Sequence, residues 1–275
     1  MTSIRKFLPK VLMAALFTAV PASCFAGIEI SIAIAPPVLP VYVQPVIPGD
    51  GYIWTPGYWA YGPEGYFWVP GTWVLAPRPG FLWTPGYWGF VGGFYGWHAG
   101  YWGPHVGFYG GVNYGFGYGG VGFAGGRWEG GHFAYNTAVS NVNTTVIHNT
   151  YIDRTVINTT VNRTSFNGPN GVTAQPTAQE RSAMNEPHVA PTAMQTSHEH
   201  SASMDRTQLA SVNHGRPANA AVSHPIVAPA TAPHAASAPA AHQGQAKAQP
   251  QASAQAKPQA KPASKPAGHP SEEKH

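Results

Sequence analysis

The sequence predicts a mainly β protein. The expected form is a small antiparallel up-and-down meander, or a barrel-like sheet, built from W-x-x-G-x-W hairpins. A Thr/Asn-rich β segment, short helices and a disordered Ala/Pro/Lys tail should follow. Three observations predict this. Eight of the nine tryptophans fall in four copies of W-x-x-G-x-W, namely Trp54–Trp59, Trp68–Trp73, Trp83–Trp88 and Trp97–Trp102, whose starts lie 14, 15 and 14 residues apart. A short unit at near-constant spacing is the mark of a repeat architecture. Pro-Gly and Gly-Gly pairs punctuate runs of aromatic and β-branched residues, the pattern of short strands joined by turns. No aromatic residue follows Phe166, so the long C-terminal stretch lacks the means to build a core.

Residues 1–26 read as an export signal. Arg5, Lys6 and Lys10 form a basic region, Val11–Val20 is an apolar run too short to span a bilayer, and Cys24-Phe25-Ala26 supplies a cleavage-type site before Gly27. Cys24 is the sole cysteine, so a chain cleaved after Ala26 has no disulfide. A second reading makes Cys24 a lipidated N-terminus; Ala22 and Ser23 suit it, whereas Pro21 stands where a large aliphatic residue is usual.

The formal charge of +4 falls to +1 once the three basic residues of the signal are removed, since that segment holds no acids. A near-neutral chain has little electrostatic attraction for polyanions, which argues against nucleic acid as partner. Charged residues make up 9% of the chain, against about 25% in ordinary globular domains. Few charges with much Gly, Pro and aromatic content suit an envelope or surface protein, not a cytosolic enzyme. No later stretch is long and apolar enough for a transmembrane helix.

Residues 27–50 hold a strand and a Pro-rich link. Ile28, Ile30, Ile32 and Ile34 alternate with Glu29, Ser31 and Ala33, and the prolines from Pro36 to Pro48 favour extended backbone. Residues 51–135 form the aromatic module. Within each copy a two-residue loop at Pro56-Gly57 would place Trp54 opposite Trp59, both indoles on one face of a hairpin. Gly57, Gly71, Gly86 and Gly100 would supply the positive φ of a tight turn. Pro56, Pro70 and Pro85 fit this imperfectly, because tight hairpins prefer type I′ or II′ turns that proline cannot enter. Trp128-Glu129-Gly130-Gly131-His132-Phe133 reads as a fifth, decayed copy, and Phe133 in place of Trp argues that it pairs differently.

Residues 136–171 change to Asn, Thr, Val and Ile, with Thr145-Val146-Ile147 and Thr155-Val156-Ile157 opening two similar ten-residue stretches of high β-propensity. Residues 172–212 hold short, weakly ordered helices, one starting near Pro191. Residues 213–275 read as disordered, and Lys257-Pro258, Lys261-Pro262 and Lys265-Pro266 favour a polyproline-II spacer.

At these residues the chain resembles the bacterial YXWGXW (or WXXGXW) repeat family. The resemblance rests on the four copies, with Tyr52-x-Trp54 and Tyr66-x-Trp68 beside them, and on the order of signal, Pro-rich link, W repeats, Gly-aromatic stretch and Thr/Asn/Val segment. It implies an exported envelope protein of undefined role and brings no catalytic residues.

The tryptophans have two readings. Trp54, Trp59, Trp68, Trp73, Trp83, Trp88, Trp97 and Trp102 either hold a small sheet together by cross-strand packing or form a stacking platform for glycan or peptidoglycan sugars. Regular pairing favours packing, and the repeat zone offers few carboxylates or amides to grip a sugar. His198-Glu199-His200 could hold a metal weakly, but the expected setting is a solvated tail without preformed geometry, so no metal or cofactor is expected. Catalysis finds little purchase. Glu64, Glu129 and Asp153 are scattered, and G-x-S-x-G, H-E-x-x-H and Walker motifs are missing. The expectation is a non-enzymatic structural or interaction protein of the envelope, with a carbohydrate-binding module as the alternative. Its partners would be an envelope polymer or protein, with self-association through exposed strand edges.

Overall fold

The computed structural model describes residues 31–157 and 163–226. Residues 1–26, read above as an export signal, with Cys24 and the Lys-Pro segment, lie outside the described residues. The chain is mainly β. After a two-residue strand β1 (Ser31–Ile32), the extended Pro-rich link leads into β2 (Tyr52–Thr55), β3 (Tyr58–Gly62), β4 (Gly65–Val69) and β5 (Thr72–Leu75). The second pair of copies repeats the plan in β6 (Leu82–Thr84), β7 (Tyr87–Val91), β8 (Phe94–His98) and β9 (Tyr101–Gly103).

The pairing corrects the sequence expectation. Trp54 faces Trp73, and Trp59 faces Trp68. In the second half Trp83 faces Trp102, and Trp88 faces Trp97. No copy folds back on itself at Pro-Gly. Two consecutive copies instead form the two arms of one long hairpin. Its tip is the turn between copies, with Gly62 opposite Gly65 in the first hairpin and Val91 opposite Phe94 in the second. The β2–β5 and β3–β4 ladders share one register, since Thr55 faces Thr72 and Tyr58 faces Val69. Pro56 and Gly57 therefore stand opposite Gly71 and Pro70. The prolines have no N–H to give, so the ladder lapses at this waist and resumes beyond it.

The waist glycines have a different task from the one expected. None of Gly57, Gly71, Gly86 and Gly100 has a positive φ. They are needed for close approach. A Cβ on Gly57 would meet the Trp68 ring and lie 2.8 Å from the Gly71 nitrogen; one on Gly71 would meet the Trp54 ring and lie 2.9 Å from the Gly57 nitrogen. Gly86 lies under Trp97 and Gly100 under Trp83 in the same way. The first tryptophan of each copy thus covers the glycine of its partner copy. It also packs on the partner's second tryptophan, at centroid separations of 5.2–5.3 Å and tilts of 53–68°. Tilted and edge-on contacts of this kind suit the aromatic quadrupole.

The decayed copy makes the tight hairpin that the others do not. Strands β10 (Asn113–Gly115) and β11 (Tyr118–Gly119) come first, then β12 (Gly126–Glu129) and β13 (His132–Asn136). Trp128 faces Phe133 across Gly130-Gly131, whose φ values are 56° and 85°. A type I′ turn needs positive φ at both loop positions. Gly-Gly meets that need and Pro-Gly cannot, which separates the two uses of one spacing.

The Thr/Asn segment contributes less strand than its composition suggests, only β14 (Thr150–Tyr151) and β15 (Phe166–Asn167) among the described residues. Its ten-residue similarity marks turns instead. Asn143 Oδ1 accepts from the backbone and hydroxyl of Thr145, and Asp153 Oδ1 accepts from those of Thr155. Strand β15 pairs parallel with β7, and β1 pairs antiparallel with β8, giving a four-stranded sheet.

Residues 172–226 are also more firmly held than expected. Helices α1 (Ala178–Met184), α2 (Ala193–Met204) and α3 (Ala210–Asn213) follow, with a 3-10 turn at Arg206–Gln208. Ala202 and Leu209 pack against Ala60, Phe67 and Val69, the face of the first hairpin opposite its indoles. Beyond residue 213, where disorder was expected, Ala220 and Val222 make backbone hydrogen bonds with Gly71. No helix among the described residues is long and apolar enough to cross a membrane.

Candidate functional site

The repeat indoles form the core. Seven of the eight are buried, with relative exposures of 0–6%; Trp97 is the half-buried exception. Several donate their N–H groups out of the hairpin. Trp59 gives to Val38 O and Trp73 to Pro45 O, both on the Pro-rich link. Trp88 gives to Trp59 O at 2.7 Å, which ties the second hairpin to the first. Trp68 gives to Ala220 O and Trp102 to Gln195 Oε1. A buried indole N–H left unpaired costs about 1–3 kcal/mol, so these carbonyl partners matter. The module is therefore completed by segments before and after the repeats.

A cleft of about 80 Å³ opens where the two hairpin waists meet α2. Its wall includes Tyr58, Thr72, Trp97, Gln195, His198 and Glu199, with prolines from both waists around them. Helix α2 is placed here by its own start. Thr192 caps it in a reciprocal box with Gln195, whose side-chain oxygen also takes the Trp102 indole N–H. One turn on, His198 is buried and pinned at both nitrogens. Its Nδ1 accepts from the Ile226 backbone N–H at 2.8 Å, so Nε2 carries the proton and donates to Pro70 O at 2.8 Å. Burial pulls its pKa below the ordinary histidine value, and the ring is neutral at pH 7.

Glu199 stands at the mouth. Its Oε2 accepts from the Tyr58 hydroxyl at 2.9 Å, and Tyr58 lies stacked on Trp97 at 5.0 Å and 18°. Burial, with Glu199 adding to it, pushes the Tyr58 hydroxyl well above its usual pKa, so it remains a donor. Thr72 is also part of the wall, and its hydroxyl is buried with no hydrogen-bond partner among the described residues. The cleft is thus mostly apolar, with an unpartnered buried hydroxyl in its wall and a carboxylate at its mouth.

The sequence-predicted residues divide clearly. Of the eight indoles, only Trp83 and Trp97 line this cleft. The expectation of a solvated His198 is corrected: it is 2% exposed. Both its nitrogens are occupied, while His200 is exposed, so the two do not form a metal pair. No group of three or more His, Cys, Asp or Glu among the described residues is placed to hold a metal. Sequence reasoning missed Tyr58, Thr72 and Gln195, and named Glu199 only as part of a weak metal-binding group. Position x of G-x-W, where Tyr58, Thr72, Tyr87 and Tyr101 stand, was the available signal for the first two.

Fold and site together define a repeat protein whose structural unit is a hairpin of two interlocked aromatic motifs. Residues 49–74 and 78–102 each match the model of the WXXGXW repeat family, and the chain carries two copies of that repeat, one per hairpin. No curated protein and no solved structure matches the chain.

Proposed function

We propose that this is an exported, non-enzymatic structural or interaction protein of the bacterial envelope. Its WXXGXW hairpins would give a rigid aromatic scaffold that needs neither disulfide nor metal. The observation that carries this reading is the use of the repeat indoles. Seven of eight are buried against one another, which favours packing over a stacking platform for sugars. The basic and apolar start of the sequence supports export, and the near-neutral remainder supports a partner other than nucleic acid.

Intact mass with cell fractionation tests the proposal. The expected product begins at Gly27 and is found in the periplasmic or outer-membrane fraction; a diacylated species beginning at Cys24 would establish the lipidated form. A product retaining residues 1–26 in the cytoplasm would overturn the envelope reading.

A further inference from the structure

We propose that the waist cleft is a docking site for a peptide segment in polyproline-II conformation in which lysine precedes proline. The inference goes beyond the envelope reading and rests on the cleft alone. Polyproline-II segments dock on aromatic-lined grooves because their backbone is already extended and little entropy is lost on binding. This cleft has the needed surfaces. Trp97 and the Tyr58 ring stacked on it form one wall. At about 80 Å³ the space suits a pyrrolidine ring or a branched aliphatic side chain.

The polar groups select what accompanies the ring. Thr72 lines the cleft, and its hydroxyl is buried with no hydrogen-bond partner among the described residues. It can donate to a carbonyl of the bound segment, and a polyproline-II backbone leaves its carbonyls free. Glu199 is exposed at the rim, and among the described residues no cation pairs with it. Among the described residues its hydrogen bond comes from Tyr58. A lysine ammonium on the residue before the proline would meet this carboxylate. His198 adds no opposing charge, because its ring is neutral and both nitrogens are held by backbone. Lysine precedes proline at Lys257, Lys261 and Lys265 of this sequence, which supplies the probe.

The test is calorimetric titration with a synthetic Ala-Lys-Pro-Gln-Ala-Lys-Pro-Ala peptide. The protein is the full chain carrying Lys257→Ala, Lys261→Ala and Lys265→Ala, so that it brings no Lys-Pro of its own. Saturable binding is expected, with a change in tryptophan emission. Glu199→Gln keeps an acceptor for Tyr58 and should weaken binding about fivefold, the upper range for a rim charge pair. Lysine-to-alanine changes in the peptide should do the same, and proline-to-alanine changes should remove binding. The peptide variants leave the protein untouched, so the test survives a misfolded Glu199→Gln. Lack of binding, or binding indifferent to the peptide's lysines and prolines, overturns the proposal. Binding by a chain found in the cytoplasm would sink the export reading and leave this one standing.

Discussion

At the residue scale, the glycine of W-x-x-G-x-W is fixed by an indole from another copy. Gly57 and Gly71 lie nose to nose, each covered by the first tryptophan of the opposite arm. Gly57→Ala and Gly86→Ala should each lower stability by about 1–3 kcal/mol through overpacking. Gly49→Ala is the control, because its added Cβ would meet nothing closer than 3.7 Å. Thermal melts should separate the two classes; equal melting temperatures would refute the ring-over-glycine account. His198 sets a second residue-scale expectation. Its folded pKa is depressed, so below about 6.5 the unfolded chain takes up a proton that the buried ring refuses. Its contribution is complete above that pH and is lost as pH falls toward the depressed value. Urea titrations from pH 8 to 5 should show declining stability, and His198→Gln should flatten the part due to this group.

At the element scale, one spacing yields two structures according to the backbone of the loop, with positive φ at both Gly130 and Gly131 and at none of Gly57, Gly71, Gly86 and Gly100, the last of which follows Ala99 and not proline. The Gly130-Gly131 hairpin closes on itself, and the Pro-Gly copies pair with a neighbour. Gly130→Pro should therefore open the β12–β13 turn, because proline cannot take the 56° φ of that position. Hydrogen exchange should show loss of protection at Phe133 and Ala134, while the β3–β4 amides keep theirs. The C-terminal strap is a second element with a measurable part. Deleting residues 215–275 removes the Ala220 acceptor of the Trp68 indole and the backbone bonds at Gly71. The Trp68 indole proton should then exchange faster and the melting temperature fall; an unchanged indole resonance would show that the strap is dispensable.

At the scale of the whole molecule, the described residues are held together chiefly by aromatic burial. Among the described residues the ion pairs are Arg127–Glu129 and, when His105 is protonated, His105–Glu186, both with exposed members, so salt should alter stability little. Alkali should act strongly. Burial raises the hydroxyl pKa of Tyr42, Tyr66, Tyr109, Tyr114, Tyr118 and Tyr135 far above 10.0. Their contribution is complete below pH 10 and is lost as pH rises, since only the unfolded chain ionises there. Spectrophotometric titration should show a large tyrosine fraction that ionises only as near-ultraviolet circular dichroism collapses. Gradual ionisation with the dichroism intact would contradict the packed aromatic core.

The sequence by itself determined the mainly β class, the repeat, the motif residues and the place of the decayed copy. Local chemistry settles these: aromatic and β-branched runs favour pleated backbone, and Gly and Pro mark its breaks. It also carried the warning that Pro-Gly suits a tight hairpin poorly. Which copy pairs with which was beyond it, because a quasi-palindromic motif aligns tryptophan with tryptophan either within a copy or between two. Tertiary packing decided the matter by laying the first indole of each copy over the glycine of its partner copy. The same holds for Glu199 and His198. In sequence they look like solvated tail, and only the docking of α2 on the hairpin waists brings them to a cleft.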